Sequence, residues 1–203
     1  MKRLCLLIVL ALLSSLNIKA QESEKKGYIG LSLGPAFPLQ ARQDSYNIII
    51  SGNQFKYNPN TPVGLNLTLI DFGYRIGENW GIAFSWFGTG HYRVHQSGND
   101  KIETTSSKGG LLIGPMYSIP LKDDMFLDFK LEAGRMVFIS EESYNGDLRS
   151  YSNSSGNLGF EIGSTLRKNI SRNWAVMGNL NLHYVPGFRN KMMNLTAGIG
   201  YRI

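Results

Sequence analysis

The chain is poor in the residues that build thiolate or imidazole chemistry. Among 203 residues there is one cysteine, Cys5, and three scattered histidines, His91, His95 and His183. A disulfide needs two thiols and a structural zinc site needs a cluster of ligands. Neither is expected, and no cofactor is expected. Long apolar runs are missing too. A membrane-spanning helix takes about 20 apolar residues, and the longest run, Leu4 to Leu13, falls short of that. A chain without such a helix has one other way to satisfy its backbone in lipid, a closed β-barrel. The Gly27-Tyr-Ile-Gly30 stretch is not a phosphate loop, because no helix start follows it to hold an anion.

What is present begins with an export signal. Lys2 and Arg3 precede the apolar run, and a more polar stretch ends at Lys19-Ala20. This is the layout of a secretory signal peptide over residues 1–20, cleaved after Ala20. Cys5 leaves with it. So do three cations, and the formal charge falls from +6 to +3. Much of the basic balance is thus a property of the export signal, and nucleic acid is not an expected partner.

The remainder, residues 21–203, alternates. Leu195, Ala197, Ile199, Tyr201 and Ile203 fall on one face of an extended strand, and Asn194, Thr196, Gly198, Gly200 and Arg202 on the other. Eight such segments are predicted, at about Tyr28–Phe37, Val63–Ile76, Trp80–Thr89, Gly110–Ile119, Met125–Phe138, Leu158–Arg167, Trp174–Tyr184 and Met193–Ile203. Their lengths suit tilted strands that cross a bilayer in about 9–11 residues. The second breaks phase, and a one-residue bulge near Leu69-Ile70 restores it. The connections alternate between short turns and longer polar stretches at 38–62, 90–109, 139–157 and 185–192. The predicted fold is all-β: an eight-stranded, antiparallel, up-and-down transmembrane barrel with apolar faces outward, its long loops outside the cell and its short turns in the periplasm.

Parity then sorts the side chains. Asp71, Arg75, Asp128, Lys130, Glu132, Glu161, Arg167 and Arg202 are predicted to face the lumen as a polar network. Such a network either plugs the barrel by salt bridges or lines a narrow path for ions or small solutes. Inward glycines such as Gly30, Gly34, Gly163, Gly198 and Gly200 make room for these long side chains. Tyr28, Tyr74, Trp80, Tyr117, Trp174 and Tyr201 cluster near the predicted periplasmic strand ends and read as an aromatic girdle at headgroup level. His183 reads as a hydrogen-bonded lumen filler.

With its signal, its tryptophan strand starts and its terminal Leu-Thr-Ala-Gly-Ile-Gly-Tyr-Arg-Ile, the chain resembles the small outer-membrane β-barrels of Gram-negative bacteria, the OmpA- and OmpX-type group. Members commonly end in Phe, and Ile203 departs from that pattern. The resemblance implies residence in the outer membrane, lipid as solvent, and periplasmic chaperones and the barrel-assembly machinery as biogenesis partners. A monomer without a peptidoglycan-binding domain is expected. A structural, adhesion or partner-docking role through loops 38–62, 90–109 and 139–157 follows as the leading expectation. The segment 40–62 carries Tyr46, Ile48, Ile49, Ile50, Phe55 and Tyr57, and is expected to extend a hairpin above the membrane. His95-Gln96-Ser97 with Glu103 is similar in outline to the His-x-Ser pair of barrel lipid A deacylases. The rest of that motif is missing, so an envelope-lipid enzyme ranks third and catalysis is not expected.

Overall fold

The computed structural model describes residues 25–39, 43–50, 52–122, 124–186 and 191–203. The predicted signal peptide and its cleavage point after Ala20 lie outside the described residues. Ten strands occur in chain order: β1 (Gly27–Pro38), β2 (Tyr46–Ile50), β3 (Asn53–Tyr57), β4 (Gly64–Arg75), β5 (Trp80–Ser97), β6 (Asp100–Pro120), β7 (Met125–Tyr144), β8 (Asp147–Asn169), β9 (Trp174–Tyr184) and β10 (Met192–Arg202). Eight of them close a barrel in the order β1-β10-β9-β8-β7-β6-β5-β4, every pair antiparallel, and β2 with β3 forms a separate hairpin.

The apolar alternation puts Leu31, Leu131, Ile162, Leu180 and Leu195 on the outside, all between 44% and 62% exposed. Polar neighbours turn inward and are buried. This inverts a water-soluble barrel and matches a lipid solvent. The phase break in β4 is a bulge: the register with β5 shifts between Thr68 and Ile70, leaving Leu69 as the extra residue.

Two of the predicted loops are strands. Residues 90–109 and 139–157 continue the β5–β6 and β7–β8 ladders far beyond the apolar band. The first hairpin turns at Gly98-Asn99 between the paired Ser97 and Asp100. The second turns at Asn145-Gly146, where φ is 51° and 91°, the geometry of a type I′ turn. β5 to β8 therefore run 18, 21, 20 and 23 residues, against 11 or 12 for the other barrel strands. The barrel is cut obliquely, with a four-stranded wall rising on one side of its outer mouth.

The outward face of this wall changes chemistry with height. On β6 Leu111, Ile113, Pro115 and Tyr117 give way above Gly109 to Ser107, Thr105, Glu103 and Lys101. Gly109 pairs with Gly88 and with Val137. On β6 the apolar band ends there, whereas on the neighbouring strands outward apolar residues continue above that level at Tyr92, Val94 and Ile139. The β2–β3 hairpin leans against the inner face of the wall. Phe55 is buried with Ile102 and Tyr144, and Tyr57 stacks on His95 with ring centroids 4.8 Å apart. Phe55→Ala is expected to release the hairpin, seen as faster tryptic cleavage at the exposed Lys56 while the barrel keeps its heat-modifiable gel mobility.

Candidate functional site

The lumen is built in layers. At the end with the short turns Asp128 on β7 accepts from Ser118 Oγ at 2.5 Å and from Arg167 Nε at 3.2 Å. The Arg167 guanidinium lies over the rings of Phe126 and Tyr28, 4.4 and 5.0 Å from their centroids. Arg75 also stands over Phe126, at 5.2 Å. One level up, Lys130 Nζ meets Asp71 Oδ1 at 2.5 Å, both nearly inaccessible. Above that, Glu132, Glu161 and His183 are direct cross-strand neighbours, and Glu161 Oε2 lies 2.8 Å from His183 Nε2. The shorter strands line their side of the lumen with amides and hydroxyls. Asn179 donates to Ser32 and Thr196, and Asn194 to Asn66. An apolar layer of Phe87, Leu112, Met136 and Val185 then lies across the barrel, its Phe87 ring 4.1 Å from that of His183.

Seven of the eight predicted network charges thus lie in three successive levels. Arg202 does not join them. It sits half-buried at the rim with the short turns, where its Nη1 donates to the Ser171 carbonyl at 3.0 Å, because β10 ends there and the lumen opens. The prediction for Tyr28 is also corrected. It shares a face with Gly30 and Ser32, not with the exposed Ile29 and Leu31, and is completely buried. Strand parity overrides its place near the strand end. Gly73 makes the room: a Cβ there would stand 2.7 Å from the Tyr28 ring. The other five girdle residues lie on the outer face at one end. Trp80 pairs with Tyr117 and Trp174 with Tyr201, edge to face at 5.0 and 5.4 Å, and Tyr74 is 39% exposed.

The His95, Ser97 and Glu103 trio is not assembled. His95 turns inward under the hairpin, and burial together with the nearby Arg93 holds its pKa below the usual histidine range. Glu103 points outward and accepts from Tyr92 Oη at 2.7 Å. A nucleophile needs its base and orienting group within reach, and here they lie on opposite faces of the wall. Among the described residues, no cluster of His, Cys, Asp or Glu is placed to hold a metal ion.

Sequence reasoning missed the outer mouth. Above the apolar layer a cavity of about 210 Å³ opens between the wall and the short strands. A second, of about 200 Å³, continues it beneath the hairpin. Their lining comes from the strand extensions that read as loops, from residues 57–62 at and after the hairpin, and from the ends of β1 and β10.

The comparisons follow this architecture. No curated protein matches the chain. Among solved structures, Ail, the attachment invasion locus protein of Yersinia pestis, superposes with a TM-score of 0.50 at 17% identity, over 88% of this chain and 99% of Ail. Neisserial surface protein A is similar at 15% identity and a TM-score of 0.48, over 87% of this chain and 97% of that one. OprG of Pseudomonas aeruginosa follows at 14% and 0.47, over 91% and 99%. The likeness to Ail is one of fold. The sequence profile of the outer membrane protein β-barrel domain matches residues 6–202, nearly the whole chain. The chain therefore belongs to the outer membrane protein β-barrel family.

Proposed function

We propose that the protein is a plugged outer-membrane barrel whose outer wall docks another protein, at the cell surface or within the envelope. It reaches the membrane through a signal peptide cleaved after Ala20. The observation that carries this reading is the four-stranded wall. A barrel that only filled the membrane would end at the apolar band, yet β5–β8 continue well past it. The wall and its hairpin expose Ile49 at 74%, Leu148 at 63%, Tyr92 at 59% and Tyr151 at 53%. Apolar and aromatic side chains displayed in water mark interaction surfaces. The fold shared with a protein named for attachment supports the same reading. The paired lumen charges and the apolar layer above them favour a plug over a permeation path.

Two measurements test it together. A photo-crosslinking residue at Tyr151 or Leu148, installed in cells, is expected to give a discrete protein adduct, whereas one at the lipid-facing Leu166 gives none. The same protein in planar bilayers is expected to pass no unitary current. Stable currents without adducts would replace docking by the alternative, a narrow path for ions or small solutes.

A further inference from the structure

An arginine interrupts the apolar outer face. Arg135 on β7 shares that face with Leu131, Ala133, Val137 and Ile139. It is exposed and pairs across the strands with Leu111 and Leu158. Among the described residues it takes part in no ion pair or hydrogen bond. Its guanidinium rests over the irregular stretch of β8: a Cβ on Gly156, whose φ is 83°, would stand 3.2 Å from its Nε and Nη2. The cross-strand neighbours on β6 and β8 bring no carboxylate to this level. The nearest outward acid of β7 itself, Glu141, is six residues further up the strand.

Beside it runs an apolar groove. Between Leu65 and Leu67 on β4 and Val137 and Ile139 on β7, the outer face carries Gly88 and Gly109, and the space over them is about 560 Å³. Leu67, Gly88, Gly109 and Val137 are successive cross-strand partners. The groove therefore crosses four strands and reaches β7 at Val137, the next outward residue after Arg135. Arg135 is ten residues from Met125, the first of β7. At about 3.3 Å per residue and a tilt of about 40°, that is roughly 25 Å above the short-turn end, the height of a barrel's apolar band. Val137 is twelve residues from that end of β7, whereas Leu67 is eight from that end of β4. The groove thus descends into the apolar band as it leaves Arg135.

Each part has a chemical meaning. A guanidinium forks a phosphate with two parallel N–H donors, a match that gains strength where water is scarce. A groove of leucine, valine and isoleucine takes a hydrocarbon chain. A membrane lipid joins the two groups in this order, phosphate at the interface and chain below. A second copy docked on the same patch by a two-fold axis would bring its own Arg135 to the first, with no carboxylate between them.

We infer that Arg135 and the groove beside it bind a single membrane lipid with an anionic phosphate headgroup, the phosphate held by the guanidinium and one acyl chain laid along the groove toward β4. The site rests on the barrel standing in a membrane and not on the docking surface. Tyr151 and Leu148 lie further up the wall, paired with Glu141 and Ser143.

Native mass spectrometry of the barrel purified from membranes in detergent tests it. The probe is dimyristoyl phosphatidic acid, and the controls are dimyristoyl phosphatidylcholine and dimyristoylglycerol. Phosphatidic acid is expected to saturate at one per barrel, and both controls to bind at least tenfold more weakly. Arg135→Gln is expected to lower the affinity at least tenfold. Gly88→Leu is expected to lower it at least fivefold by filling the groove, and it has room to do so, because a Cβ there meets nothing within 4 Å. Lys168→Gln, which removes an exposed cation near the short turns, should change nothing. Heat-modifiable mobility reports whether each variant has folded. Absence of a saturable one-to-one adduct overturns the site. So does equal retention of phosphatidylcholine, the mark of ordinary solvent lipid, and so does displacement by inorganic phosphate alone, the mark of an ion site. Unchanged affinity in both folded variants places the lipid elsewhere and overturns it. A barrel dimer that Gly88→Leu dissolves would give the groove to a second copy, with the same consequence.

Discussion

Leu180→Arg is expected to lose much of its assembled barrel, while Gln96→Arg assembles normally. Leu180 lies in the middle of β9, 44% exposed on the outer face and paired with Ser164 and Leu195. Its outward neighbours Val176, Leu182 and Tyr184 are apolar too. A guanidinium at the midplane has no water and no partner, and the cost is about 2–4 kcal/mol, falling to about 0–1 near the interfaces. Gln96 also faces outward, but near the tip of the wall, where its amide donates to the Gly98 carbonyl at 3.2 Å. Arginine there meets solvent. The measurement is the fraction of membrane-associated protein that migrates as the fast, heat-sensitive form. Equal fractions for the two variants would mean that the apolar face of β9 does not meet lipid.

That contrast shows which parts of the fold are legible in the residues. Where one face of a strand meets lipid and the other a packed lumen, the two environments demand opposite side chains and the period-two pattern is clean. β9, β10 and the Leu69 bulge are readable for that reason. Beyond the apolar band the outer face meets water and the inner face is covered only in part by the hairpin, so the demand lapses. The stretch Thr104-Thr105-Ser106-Ser107 is then as polar on one face as on the other, and reads as loop although it is strand. Its surviving signals are β-propensity and turn chemistry. Asn145-Gly146 carries the positive φ angles a two-residue hairpin needs, and it marks the second hairpin by itself. Parity also brings the charges to the right face. It cannot say which charge meets which, because Lys130 on β7 reaches Asp71 on β4 across the lumen, a contact set by strand tilt and side-chain length. The cavity at the mouth is further still from the sequence. It exists because four strands outrun the other four, and because the segment after the hairpin returns over the gap.

Lys130→Met is expected to destabilise the barrel by about 3–5 kcal/mol, and adding Asp71→Leu to recover most of that loss. The two groups are 2.5 Å apart and only 2–3% accessible. Removing the ammonium alone strands a carboxylate where no water replaces the lost partner, and that isolated charge is the costly species. Removing both charges takes away the attraction and the desolvation cost together, so the double variant is expected near the parent. Lys130 also stands 5.6 Å from the centroid of the Tyr28 ring, and the methionine side chain preserves part of that contact. The test is unfolding in urea, with the folded fraction read from gel mobility for the parent, both single variants and the double. A large cost in the singles that cancels in the double identifies the pair as part of a dry plug. A cost below about 1 kcal/mol in both singles would resemble a solvated ion pair. Water would then reach this level of the lumen, and the layer of Phe87, Leu112, Met136 and Val185 would be a gate in a hydrated path instead of a seal.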